Sequence, residues 1–193
     1  MEALRKYFMS VEDLSAGEMD FLLSHIKTKE IPKGTPLFQE GDLVRSIYFL
    51  ESGVLHHFNY TPEGEKKTLR LREAPCFCTD LESFSTAKRS EQSCVAMTDC
   101  TIHELTKPKY DSLINTSMRW SNFVKTITEL SLVKVLEEIK EIANKSVRER
   151  YHELAEKRPG LLQVVPLQTI ASYLGTSRET LHRIRRTEIL QNS

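Results

Sequence analysis

The run Thr176-Ser177-Arg178-Glu179-Thr180-Leu181-His182-Arg183-Ile184-Arg185-Arg186 concentrates side chains that can grip and read nucleic acid. Arginine donates a bidentate pair to guanine O6 and N7, and glutamate accepts from cytosine N4. Arg178, Glu179, His182, Arg183 and Arg186 share the side of a helix away from Leu181 and Ile184. Thr176, Ser177 and Thr180 are short donors that suit phosphate oxygens beside a helix N-terminus. Upstream, Ile170, Ala171 and Leu174 face inward from one helix, and Gly175 permits a tight turn. Ser177 stands where a helix cap belongs. The layout is that of a helix-turn-helix, whose second helix puts its first turn into the major groove. The plainer alternative is a helical hairpin with a solvated basic face.

Cysteine and histidine are the other candidates. Cys76, Cys78, Cys94 and Cys100 form neither a C-x-x-C pair nor zinc-finger spacing, so buried apolar side chains are the plain expectation. Cys76 and Cys78 alternate on one strand face, which leaves a redox or metal switch open. His56 and His57 are adjacent, so on a strand they point to opposite faces and one is expected to be exposed. No nucleophile–base set or glycine-rich phosphate loop stands out. The expectation is therefore a protein that is not an enzyme, with no cofactor, no metal and no catalytic residues.

The rest of the chain must position these groups. It has 193 residues and 39% apolar content, enough for a packed core and too much for a disordered chain. No run approaches the length of a membrane helix, and the N-terminus has no secretory pattern, so a cytoplasmic protein that avoids membranes is expected. The formal net charge is zero, but it is unevenly spread. From Lys145 onward nine basic and five acidic residues give +4, and the first 144 residues carry 18 basic and 22 acidic, or −4. A basic tail on an acidic body suits contact with nucleic acid at one end.

Three textures follow one another. Ser15 with Glu18 makes a capping box ahead of Met19, Leu22, Leu23 and Ile26 at helical spacing. Short β-prone runs then alternate with turns: Thr35–Gln39, Ser46–Leu50, Val54–Tyr60, Lys67–Leu71, Ser93–Ala96 and Thr101–Leu105. From Lys109 to Asn144 the pattern is helical without a break. Phe123, Ile127, Leu130, Leu132, Leu136 and Ile139 lie on its apolar stripe, a dimer interface expected to pack on a second copy. The last segment predicts helices over Val147–Lys157, Pro166–Leu174 and Arg178 to about Ile189, with Arg158-Pro159-Gly160 as a stop signal.

Thr176 to Ile184 resembles the recognition helix of the Crp/Fnr family, the cyclic-AMP receptor and fumarate-nitrate regulators. Gly34-x-x-Leu37-x-x-x-Gly41, Tyr48-Phe49 and Gly53 resemble that family's cyclic-nucleotide-binding jelly roll. The resemblance spans about Ile31 to Ile184. It implies base reading by Arg178, Glu179 and Arg183 on TGTGA-like half-sites in an inverted repeat. It also implies double-stranded DNA, a second copy of the chain and RNA polymerase as partners. Two departures stand out at this end: His182 replaces a usually small residue, and the β-wing expected after the recognition helix is missing before Ser193.

The effector positions depart further. Aligned on Ala96–Cys100, the family's Gly-Glu pair falls on Thr79 and Asp80, followed by Leu81, and its Arg-Ser pair falls on Ser90 and Glu91. A glutamate there would repel a phosphate; Arg89 is one residue away. Ser131, followed by Leu132, stands where the family's binders present two hydroxyls. The first 75 residues contain no cysteine, so the family's N-terminal iron–sulfur cluster has no ligands here. The effector is thus an unknown small molecule or none.

The expected architecture is α+β. An antiparallel, cyclic-nucleotide-binding-like jelly roll occupies residues 1–108, a dimerisation helix 109–144 and a helix-turn-helix domain 145–193. A sequence-specific DNA-binding regulator is the first functional reading. The second is a small-ligand or cupin-like jelly-roll module whose helical tail only dimerises.

Overall fold

The computed structural model describes the backbone of residues 1–191 and the side chains of residues 1–186; residues 192–193 of the expected C-terminal unit lie outside the described residues. In chain order the elements begin with α1 (Glu2–Val11), α2 (Ala16–Ser24), β1 (Lys27–Ile31), β2 (Pro36–Phe38), β3 (Ser46–Ser52), β4 (Val54–Tyr60), β5 (Lys66–Glu73) and β6 (Cys76–Cys78). They continue with α3 (Leu81–Thr86), β7 (Ser93–Ala96), β8 (Cys100–Thr106), α4 (Lys107–Thr116) and α5 (Met118–Asn144). The C-terminal helices are α6 (Val147–Lys157), α7 (Pro159–Val164), α8 (Leu167–Tyr173) and α9 (Arg178–Gln191).

The strands form two four-stranded sheets, β1-β8-β3-β6 and β2-β7-β4-β5, with antiparallel pairings. Apart from the β4–β5 hairpin, successive strands alternate between the sheets, which is the jelly-roll pattern. All six β-prone runs of the sequence are strands here. Between the sheets lie Phe38, Leu50, Leu55, Cys78, Cys94, Ala96, Cys100 and Ile102. The helices cover the outer faces. On the first sheet, Phe49 meets Leu4 and Phe8 of α1, Met19 and Leu22 of α2, Leu113 of α4, and Trp120 and Phe123 of α5. On the second, Val54 and Leu71 meet Tyr151, Leu154, Leu161, Val165 and Ile170 of the C-terminal helices.

Edge strand β5 is held by those helices. Its Thr68 N–H donates to Ser172 Oγ at 2.8 Å. Arg158 donates to Leu71 O at 3.0 Å and to Glu73 Oε2 at 3.2 Å. An edge strand otherwise presents unpaired backbone groups, so this contact both caps the sheet and anchors the helices.

Several expectations need correction. The helix expected from Lys109 to Asn144 is two helices. Ser117 is extended (φ −163°, ψ 160°), and its Oγ accepts from Trp120 N at 3.4 Å, capping α5. The stop at Arg158-Pro159-Gly160 is as expected, since α6 ends at Lys157 with Arg158 non-helical (φ −138°, ψ 53°). The short helix that follows, α7, was not expected, and Pro159 sits in its first turn, where its missing N–H costs nothing. Strands β1 and β6, and helices α1 and α3, were not expected. The capping box before α2 is as expected, with Glu18 N donating to Ser15 Oγ at 3.3 Å and Ser15 N to Glu18 Oε2 at 2.9 Å. Among the described residues no helix is long and apolar enough to cross a membrane.

Gly53 joins β3 to β4 at φ +100°, and an added Cβ would lie 2.5 Å from Cys100 Sγ and 2.7 Å from Asp99 O. Both conformation and space therefore exclude a side chain. Gly53→Ala is expected to destabilise the fold by about 2 kcal/mol or more. Urea denaturation followed by circular dichroism measures it; an unchanged midpoint would refute the packing described.

Candidate nucleic-acid interface and effector positions

The turn between α8 and α9 is closed by its own backbone. Gly175 takes φ +69°. Its N–H donates to Ser172 O at 3.0 Å, and Thr176 N–H donates to Ala171 O at 2.9 Å. This pair of bonds is a Schellman closure, which wants glycine at the left-handed position. Ser177 then caps α9, accepting from Thr180 N at 3.1 Å through its Oγ. Arg150 of α6 donates to Leu174 O at 2.6 Å, tying the turn to the helices behind it.

Ile170, Ala171, Leu174 and Leu181 are buried between α8, α9 and the helices beneath, with Ile184 packed against them. Consequently Ser177, Arg178, Glu179, His182, Arg183 and Arg186 are exposed, while Thr176 and Thr180 are half-buried. The structure thus brings the candidate DNA-contacting residues onto one surface around the start of α9. Glu179 is held below the usual carboxylate range by backbone and Ser177 hydrogen bonds. It is therefore ionised and able to accept.

The effector positions do not form one constellation. Asp80 is buried and caps α3, its Oδ1 accepting from Ser83 N at 3.1 Å and its Oδ2 from Ser90 Oγ at 2.6 Å. Thr79 Oγ1 donates to Ser46 O at 2.9 Å. Leu81, Arg89 and Glu91 are exposed, and Arg89 donates to Gly41 O at 2.7 Å. Ser131 is half-buried on α5 and returns its hydroxyl to Ile127 O at 2.8 Å. Only Asp80 and Ser90 of this set touch, and they spend their polar atoms on each other and on the chain.

Along α5 the interface set divides. Phe123 is only 1% exposed, packed edge-on against Phe8 and Trp120, so it is an internal residue rather than one free to meet a second chain. Ile127 is half-buried against the same cluster. Beyond it Leu130, Leu132, Leu136 and Ile139 are exposed, the last three by 58%, 48% and 55%. Val133 and Ile142 add to that uncovered face. The sequence hid this division because α1, which covers Phe123, was not expected.

His56 and His57 also depart from expectation: both are buried, at 4% and 3% exposure. They do point to opposite faces, but the outer face of β4 is covered by the C-terminal helices. His56 Nε2 lies 3.0 Å from Thr68 Oγ1, beside the β5–α8 contact. His57 faces the interior and meets cysteines from two other strands. Its Nε2 is 3.2 Å from Cys78 Sγ and 3.4 Å from Cys94 Sγ, and the sulfurs are 3.8 Å apart. His57 Nδ1 is 3.3 Å from Gln92 Oε1. Cys76 and Cys100 stay outside this triangle; Cys100 Sγ approaches Thr98 O at 3.3 Å. His57, Cys78 and Cys94 are far apart in sequence, and only the jelly-roll crossings bring them together. No spacing motif could have announced them.

A cyclic-nucleotide-type β-roll joined by a long helix to a compact helical unit is the class that this fold defines. Residues 28–117 match the cyclic nucleotide-binding domain family. Over 175 residues the chain is 27% identical to the cyclic AMP receptor protein of Thermus thermophilus, covering 89% of this chain and 81% of that one. The catabolite activator protein structure from the same organism aligns at 24% identity and TM-score 0.58, covering 96% and 87% of the two chains. A Crp/Fnr-family transcriptional regulator from Eubacterium rectale aligns at 21% identity and TM-score 0.68, covering 93% and 85%. Over most of its length the chain is thus similar to a cyclic AMP receptor protein, and residues 28–117 carry a cyclic nucleotide-binding-type domain.

Burial first, and the charges of Lys66 and His57 after it, push the His56 imidazole down to about 4. A base whose folded value is depressed contributes full stability above its ordinary value of about 6.5 and loses it as pH falls toward about 4. Thermal midpoints should therefore drop between pH 6.5 and 5, before most carboxylates titrate, and the drop should shrink in His56→Gln. Equal pH slopes in both proteins would contradict this.

Proposed function

We propose that this chain is a DNA-binding transcription regulator acting as a homodimer on an inverted-repeat operator. The observation that carries it is the Schellman-closed, Ser177-capped entry to α9, with Arg178, Glu179, His182, Arg183 and Arg186 exposed around it. This presents a bidentate donor, an ionised acceptor and further cations at the end of a helix that can enter a major groove. Thr176, Ser177 and Thr180 flank the same N-terminus, where backbone N–H groups favour phosphate. The names of the relatives, a cyclic AMP receptor protein and a Crp/Fnr transcriptional regulator, support the same function. On this reading residues 1–108 are the sensor, 109–144 the dimerisation segment and 145–193 the reader, working in the cytoplasm with RNA polymerase as a further partner.

Control by cyclic AMP does not suit the residues at the cassette positions. A buried cyclic phosphate needs a cationic fork and hydroxyl donors aimed at it. Here Arg89 is exposed and bonded to Gly41 O, Glu91 is anionic, and Ser90 is committed to Asp80. The regulator we propose answers to another signal.

Dimerisation is assigned to the uncovered part of α5. Leu132, Leu136, Ile139 and Ala143 recur at spacings of four, three and four, the seam of a two-stranded coiled coil. So much contiguous apolar surface is unusual on a monomer.

Arg178→Ala is expected to cost about 1–3 kcal/mol on the preferred duplex and to relax one base position. Arg186→Ala should weaken all sequences alike and reduce the salt slope by about one. Gel shifts on TGTGA-like inverted repeats and their variants measure both; uniform loss on every sequence for Arg178→Ala would reject base reading. Leu136→Asp and Ile139→Asp should yield monomers that no longer hold the inverted repeat. Light scattering that still reports dimers in both would reject α5 as the interface.

A further inference from the structure

We infer that the β-roll interior is a metal site, in which His57 Nε2, Cys78 Sγ and Cys94 Sγ bind one thiophilic d10 cation, zinc(II) by charge. This stands apart from DNA binding: either could fail and leave the other intact.

Geometry is the first argument. In a tetrahedral zinc site, bonds of about 2.3 Å to sulfur and about 2.0 Å to nitrogen put two sulfurs about 3.8 Å apart and sulfur about 3.6 Å from nitrogen. The triangle here measures 3.8 Å between sulfurs and 3.2 and 3.4 Å from each sulfur to the nitrogen. Small shifts of the histidine would open it to the ideal. The three residues are all buried, and each offers one ligand atom within 4.8 Å of the other two.

The second argument is what lies behind the ligands. A metal-bound histidine gives its other ring N–H to an acceptor, which fixes tautomer and ring plane. Gln92 Oε1 stands 3.3 Å from His57 Nδ1, so a proton there leaves Nε2 free as the ligand. Phe38 packs edge-on against the imidazole at 5.7 Å between centroids, and Leu50, Leu55 and Ile102 line the same interior. Gln92 is half-buried and lies two residues beyond buried Ser90.

Charge selects the ion. Binding a divalent cation to the two thiols releases their two protons to solvent and leaves two thiolates. Zn2+ on two thiolates and a neutral imidazole is uncharged, as a dry interior demands, whereas Cu+ would leave one uncompensated negative charge. Three protein ligands leave the fourth tetrahedral position for water or another small ligand. A disulfide between Cys78 and Cys94 would leave His57 Nε2 without a role. The site also joins the two sheets: His57 and Cys94 lie opposite each other on β4 and β7, and Cys78 comes from β6 of the facing sheet.

The test uses the full-length protein, prepared reduced and metal-free, and titrated separately with Zn2+ and Cu+ against a chromophoric chelator. We expect about one Zn2+ per chain, a raised thermal midpoint, and Co2+ substitution giving thiolate charge-transfer bands with tetrahedral d–d absorption. Cys94→Ser and His57→Gln should lose at least ~100-fold in affinity, and Gln92→Ala about 10–100-fold. Cys100→Ser, outside the triangle, should bind like the wild type and controls for damage to the core. Circular dichroism checks that each variant is folded. Binding below a tenth of an equivalent for both ions would overturn the site. So would equal affinity in folded Cys94→Ser, or a Cys78–Cys94 disulfide that forms in place of metal uptake. Stoichiometric Cu+ without Zn2+ would overturn the charge argument for zinc.

Discussion

The structure turns on the outer face of the β4–β5 hairpin, which cannot be left bare. Val54 and Leu71 are apolar there, His56 is neutral and buried, and β5 is a sheet edge. The C-terminal helices satisfy all three at once. Leu161, Val165 and Ile170 cover the apolar residues, Ser172 takes the Thr68 N–H, and Arg158 takes Leu71 O. The helix that precedes the Gly175 turn therefore rests on a strand of the roll. Strand β4 is common to both sides: His56 faces the helices, and His57 faces the interior cysteines. A ligand that shifted β4 would press directly on the platform of α8, with no long chain of intermediaries.

What the sequence disclosed follows from the range of the interactions involved. The α8–α9 turn was legible because every determinant lies within about a dozen residues: small Ala171, Gly175, the Ser177 cap and the periodicity of Leu181 and Ile184. The six strands with apolar alternation were legible for the same reason. Strand β1, Lys-Thr-Lys-Glu-Ile, was not, since it is an exposed edge with almost no apolar signal. The break at Ser117 lies at the weak helix formers Asn115-Thr116-Ser117, but helical periodicity on both sides masked it. What decides it is packing, as α4 contacts β8 while α5 turns its first residues to α1. The interior triangle was the least legible feature. Positions 57, 78 and 94 meet only after two crossings between sheets.

Polar groups at the effector positions show how a pocket can be closed from within. A carboxylate buried without partners would be costly. Asp80 avoids that by taking the Ser83 N–H and the Ser90 hydroxyl, while Ser83 Oγ accepts from Val44 N at 2.9 Å. The turn at Gly41 joins the same network through Gly41 N to Ser90 O, at 2.8 Å. Opening this region to an anion would mean breaking several short bonds with no cation waiting inside. A cation at the proposed site deeper in the roll would instead replace the two thiol protons of Cys78 and Cys94 and meet His57 between them.

The uncovered face of α5 links these parts to a duplex. A helix of 27 residues is about 40 Å long, and one face of its N-terminal third, at Trp120 and Phe123, is buried against α1 and α2. Glu138 pairs with Arg72 at 3.1 Å, so the exposed stripe lies beside the hairpin that carries the C-terminal unit. A second copy packed along Leu132, Leu136 and Ile139 would bring the two units together about a two-fold axis. A two-fold axis suits an inverted repeat, since each half-site then meets the same surface in the same orientation. With a reader that projects only a few side chains, one copy would have little affinity for a single half-site. The dimer seam is therefore as much a part of the proposed recognition as Arg178 itself.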